Sequence, residues 1–181
     1  MTRLHTLAAV ALASALAGCA SMSVSSHVQP GLNMSAYRTF DWGPADSLPT
    51  GDPRFDKDPF FQDHMLGQVE RHMAARGLAH AADSTQADLL IHYHAAIQTR
   101  MDVNRVDRTY GYCYDEACST RVIEYEAGTL VLDIVDRKTH RLIWRGWAQD
   151  SVDKMLKDRD HMAAEIARAV DGMFERFPGS F

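Results

Sequence analysis

Two histidines stand two residues apart in an alternating stretch, and they are the first place to look for chemistry. Over residues 88–98, Leu89, Ile91, Tyr93, Ala95 and Ile97 point one way, and Leu90, His92, His94 and Ala96 the other. Side chains at i and i+2 of a strand share a face, so His92 and His94 could reach one metal ion together. The same spacing also serves two histidines that face solvent or bond to neighbours, and the sequence shows no clear third ligand; Asp133 and His27 are candidates by residue type alone. Asp133 and Asp136 are three apart, which on a strand sends them to opposite faces and makes no acid/base dyad. Asp133 lies in the otherwise apolar run GTLVLDIV, so it either faces water or needs a partner, since a buried unpaired carboxylate is costly. Arg145 on the next strand could be that partner, while Asp136 is placed to open a turn by bonding its own backbone. The nucleophile elbow, the zinc-protease helix motif, the phosphate loop and the dinucleotide glycine fingerprint are all missing. No catalytic residue is assigned and no cofactor is expected.

The N-terminus fixes the compartment. Arg3 precedes an apolar stretch at residues 7–16, and Leu16-Ala17-Gly18-Cys19 follows. Ten apolar residues are too few for a membrane span, so residues 1–18 read as a signal peptide. The tetrapeptide resembles the bacterial lipobox, in which small residues fit the peptidase and the cysteine thiol accepts the lipid. Cys19 is therefore the expected lipidation site, and the anchor at Cys19 is what holds the protein to a membrane. Ala20 stands where enterobacterial-type sorting uses Asp to retain lipoproteins at the inner membrane. The expected location is thus the periplasmic face of the outer membrane.

Processing leaves 163 of the 181 residues, enough for one domain with a real core, and losing Arg3 takes the formal net charge from −5 to −6. Basic residues form no block, which argues against nucleic acid and against an electrostatic grip on lipid. Two cysteines remain, Cys113 and Cys118. An even count in an oxidising compartment favours a disulfide between them, against half of a metal site or two free thiols.

The elements that must position these residues follow from periodicity. Residues 19–26 read as a lipidated tether and 27–181 as a single domain. Short β-prone runs at residues 23–29 and 39–42 precede a Pro/Gly/Asp-rich loop at 43–58. Asp58-Pro59 opens a helix whose inner stripe is Phe61, Met65, Val69 and Met73, stopped by Gly77. After the strand at 88–98 comes an irregular segment at 99–107, then a hairpin at 109–125 flanked by the cysteine pair. Residues 128–135 read as a central strand and 142–150 as its antiparallel neighbour. On that neighbour Trp144 and Trp147 take opposite faces, so one of them is core and the other is exposed or lies under the 99–127 segment. A last helix over residues 158–177 turns Met162, Ile166, Val170, Met173 and Phe177 inward. The fold class is α+β, a mostly antiparallel sheet with two helices packed on one face.

Four blocks in this order resemble the bacterial lipoprotein family called domain of unknown function 4136. They are Tyr37-Arg38-Thr39-Phe40-Asp41-Trp42, the Ala87-Asp88 strand through His94, the run from Gly128 to Asp136 with Leu142 to Ala148, and the closing Phe177-Pro178. The cysteine hairpin is where the chain departs from that pattern. The resemblance implies an envelope lipoprotein with a small α+β domain, and it brings no catalytic residues. Two functions follow as expectations: a non-enzymatic binding or accessory module that takes an envelope protein partner or a hydrophobic ligand, or a metal-binding protein or metal-dependent hydrolase using His92 and His94.

Overall fold

A computed structural model describes residues 22–43, 52–101 and 124–178. Six strands form one sheet: β1 (Ser23–Val28), β2 (Thr39–Trp42), β3 (Ala79–His80), β4 (Leu89–Met101), β5 (Glu124–Asp136) and β6 (Arg141–Ser151). Among the described residues there are three α-helices: α1 (Pro53–Asp56), α2 (Pro59–Ala75) and α3 (Arg159–Phe174). The strand order is β1-β6-β5-β4-β2-β3. The contacts β1–β6, β6–β5 and β5–β4 are antiparallel, while β2 pairs parallel with both β3 and β4. The sheet is therefore mixed, though mostly antiparallel. The parallel part arises because the chain leaves β2 through α1 and α2 before it returns, the long crossover that parallel pairing needs.

Both long helices begin as the sequence dictates. The Asp58 carboxylate accepts from Phe60 N and Pro59 opens α2; Asp158 accepts from Asp160 N and His161 N at the start of α3. Gly77 closes the turn after α2 with φ +76°, a conformation that costs glycine least. The expected inner stripes are buried in both helices. Phe177 is buried too, but it lies beyond the end of α3 and packs edge-on against Trp144 at 5.1 Å.

Four expectations need correction. The β-prone run expected at residues 23–29 forms β1, so the tether expected to reach residue 26 ends before Ser23, which pairs with Gln149 as Val24 does with Ala148 at the free edge of β6. The loop at 43–58 contains α1, started by Asp52 and Pro53, the same signal that starts α2. Its Phe55 is buried and stacks on Phe61 at 4.6 Å, which anchors a turn that has no apolar period of its own. Residues 99–101, read as irregular, continue β4, since Thr99, Arg100 and Met101 find ladder partners in Glu126, Tyr125 and Glu124. Residues 124–127, partly read as hairpin arm, open β5 for the same reason. The cysteine pair and the rest of its hairpin lie outside the described residues.

The register divides the sheet into two faces. Ile91, Ile134 and Trp144 are lateral neighbours, as are Tyr93, Leu132 and Gly146, and Ala95, Leu130 and Ala148. Apart from the partly buried Tyr93 and the glycine, these residues form one core cluster with the inner stripes of α2 and α3. Trp144 is fully buried at the centre, 5.6 Å from the Phe174 ring. Gly146 leaves room for that indole, since a Cβ there would stand 2.3 Å from Cη2 of Trp144. The opposite face carries His92, Asp133 and Arg145 in one row and His94, Val131 and Trp147 in the next.

Candidate functional site

Asp133 and Arg145 are directly opposite each other on β5 and β6, and the guanidinium clamps the carboxylate with two bonds of 2.6 and 2.5 Å. The clamp raises the already high pKa of Arg145, against the opposing pull of burial. Asp133 is 7% exposed, so the pair satisfies a carboxylate that the strand would otherwise bury alone. His92 lies across from Asp133 on β4, and His94 across from Val131. Both imidazoles are half-buried. A Cβ on Gly43 would fall 2.0 Å from Cε1 of His92, so glycine at that position lets the chain pass over the ring. His27 reaches the same row through β1, opposite Arg145. The row therefore gathers His27, Asp133 and His92, but a guanidinium already occupies its centre. Among the described residues no group of three potential metal ligands converges.

Trp147 is half-buried on that face, opposite Val131, while Trp144 is the core tryptophan. Within the described residues the Trp144 indole N–H has no acceptor.

A second polar cluster sits where β2, β4 and β5 meet. Asp88 accepts from the backbone N–H groups of Arg38 at 2.8 Å and Thr39 at 3.0 Å, and its own N–H donates to the Thr39 hydroxyl. These backbone bonds hold the Asp88 carboxyl below its usual range. The Tyr37 hydroxyl donates to Asp136 at 2.9 Å, and Asp136 also accepts from Thr139 N, the turn bond expected of it. Burial pushes the Asp136 carboxyl up, but the bonds from Thr139, Tyr37 and the Lys138 backbone outweigh it and the net shift is downward. Burial, reinforced by the neighbouring carboxylates, pushes Tyr37 up to about 12. A tyrosine that holds its proton so firmly beside a carboxylate that stays ionised is a fastening, not an acid/base pair poised near neutrality. Three of the four sequence blocks thus meet in a clasp. Their shared purpose could not be read from spacing, because residues 37, 88 and 136 come together only through the parallel pairing of β2.

The third feature is an apolar cleft between the core face of the sheet and α3. Its cavity volume is about 50 Å³, a narrow slot that is half open to solvent and well below the roughly 300–1,000 Å³ of sites that engulf a whole small molecule. Phe55, Phe61, Leu130, Val152, Ile166 and Ala169 form its walls, and Met22 stands among the lining residues. Asp150 and Glu165 are its charged lining residues; Arg168 bonds to both. Sequence reasoning missed this cleft. Ala148 and Ala169 line it with short side chains, while the missing Cβ of Gly128 makes room for Val152, whose Cγ1 would lie 2.3 Å from it; nothing in their spacing marks these residues as neighbours. Cys19, Cys113 and Cys118 lie outside the described residues.

Fold and clasp define a small α+β domain of mixed sheet topology. The family model described as "Domain of unknown function (DUF4136)" matches residues 24–179, and the chain belongs to that family. A solved member of this family from Bacteroides thetaiotaomicron shares the fold at TM-score 0.52 and 13% identity, with 86% of this chain and 95% of that one aligned. A PDZ domain protein from Parabacteroides distasonis is similar at TM-score 0.54 and 15% identity; 89% of this chain aligns, but it spans only 37% of that protein. No curated protein sequence matches the chain.

Proposed function

We propose that this protein is a non-enzymatic binding module, held by a lipid on Cys19 at the periplasmic face of the outer membrane, that takes a hydrophobic ligand. The observation that carries the reading is the apolar cleft, open at the end of the sheet from which the N-terminus leaves. Both long helices on one sheet face, as the shared core supports, roof that cleft and leave the histidine face to the other side. The Tyr37–Asp136 and Arg145–Asp133 pairs serve this as scaffolding, because each carboxylate is tied to a partner and is not free for catalysis. Cys113 and Cys118 form a disulfide in this reading, a local clip at a hairpin end.

The test is binding of an uncharged fluorophore, N-phenyl-1-naphthylamine, to purified Cys19→Ala protein, which carries no acyl chain of its own to compete for the cleft. Saturable fluorescence enhancement is expected, and Ala169→Leu, which fills the cleft, is expected to remove it. Enhancement that survives Ala169→Leu unchanged would place the ligand elsewhere, and no enhancement at all would refute the reading. Labelled fatty acid that still enters a Cys19→Ala variant would refute the anchor.

A further inference from the structure

The cleft has a specific occupant within reach. We infer that it holds an acyl chain of the protein's own lipid anchor, the chain carried on Cys19; the inference rests on the lipid-anchored reading above. Three observations lead there. Met22 itself lines the cleft, together with Gln149, Asp150 and Ser151 of β6. β1 runs antiparallel to β6, with Ser23 opposite Gln149, so the chain going back from Ser23 is aimed along the cleft's edge. Only Ala20 and Ser21 separate Met22 from Cys19, and three residues span at most about 11 Å. A lipid on Cys19 therefore starts within reach of the mouth.

Charge selects this source over the alternatives. The lining residues include two carboxylates, Asp150 and Glu165, and no Lys, Arg or His. Arg168 is shared between those carboxylates, which leaves one negative charge in excess. A free fatty acid or an anionic phospholipid would bring its own negative charge to that rim, and like charges placed together are unfavourable. An acyl chain joined to Cys19 through a glyceryl thioether brings none at the mouth. The apolar walls formed by Phe61, Leu130, Val152 and Ile166 then bury methylene groups that would otherwise meet water whenever the anchor leaves the bilayer. The domain would carry its anchor partly sheathed.

Photo-crosslinking of the full lipidated protein in its own membranes tests this. Cells are fed a fatty acid with a diazirine in its chain, membranes are irradiated, and crosslinked peptides are read by mass spectrometry. The expected product joins lipidated Cys19 to a cleft peptide of the same molecule, from residues 160–168 of α3 or from residues 127–136 of β5. Ala169→Leu is expected to reduce that product to background. Ser151→Trp keeps the test valid if Ala169→Leu misfolds, since Ser151 is an exposed rim residue, and it is expected to lower the yield as well. Crosslinks from Cys19 only to bulk lipid would overturn the inference. Phospholipid adducts on the cleft peptides would also overturn it, while leaving the hydrophobic-ligand reading intact. No label on Cys19 would instead sink the anchor on which both rest.

Discussion

Removing Arg145 should cost more than removing the whole Arg145–Asp133 pair. The two bonds, 2.6 and 2.5 Å long, end on a carboxylate that is 7% exposed, while the Arg145 side chain is 46% exposed. Breaking a fully buried pair costs about 3–5 kcal/mol, because it strands one charge away from water. Here half of the guanidinium is already solvated and water can refill part of its place, so the Coulombic share is screened. The expected cost of Arg145→Ala is about 2 kcal/mol. For a domain of this size that is roughly 4–8 °C in Tm. Replacing both partners with β-branched residues (Asp133→Val with Arg145→Thr) removes the stranded charge and should return stability to within about 1 kcal/mol of the parent. Urea unfolding followed by circular dichroism, run on the parent, both single variants and the double variant, gives the coupling energy. A coupling near zero, or a double variant as unstable as the sum of the singles, would refute the argument that Asp133 depends on Arg145.

Other outcomes follow from the same structure. Gly146→Ala should destabilise by about 1–3 kcal/mol, since its methyl would press on a fully buried indole that cannot swing away; a change within about 0.5 kcal/mol in urea unfolding would contradict that packing. Asp88→Asn tests the clasp through pH. The folded carboxyl is depressed, so its stabilisation is present above the unfolded value near 4 and is lost as pH falls through the folded one. The variant should therefore melt lower than the parent at pH 7, with the gap closing below pH ~4; a gap independent of pH would remove the charge from the explanation. Arg76→Met should cost about 1–2 kcal/mol, because the guanidinium donates to the Phe174 carbonyl at 2.7 Å and covers the Phe174 ring. Unchanged thermal stability would show that bond to be idle. Cys113→Ser with Cys118→Ser should fold and melt a few degrees lower, as a short-loop disulfide contributes about 2 kcal/mol; free alkylation of both thiols in periplasmic protein would remove the disulfide.

The sequence by itself determined whatever depends on neighbours along the chain. Asp58-Pro59 and Asp158 mark helix starts through backbone groups one to three residues away. The stripes of α2 and α3 follow from helical spacing, and the alternation around His92 and His94 follows from the two-residue period of a strand. Even the Asp133–Arg145 pair was legible, because a short turn between adjacent strands nearly fixes their register. Only the tertiary structure decided what joins distant segments. The parallel seat of β2 between β3 and β4 brings Tyr37, Asp88 and Asp136 into one clasp, and Arg76, just past the end of α2, covers the end of α3. The pairing of β1 with the far edge of the sheet, a partner the β-prone run at residues 23–29 did not name, puts Met22 beside the cleft. These arrangements depend on which strand edge a segment finds and which side chains leave space between layers. Residue type and local spacing carry no record of either, because pairing energy depends on the partner surface that folding supplies.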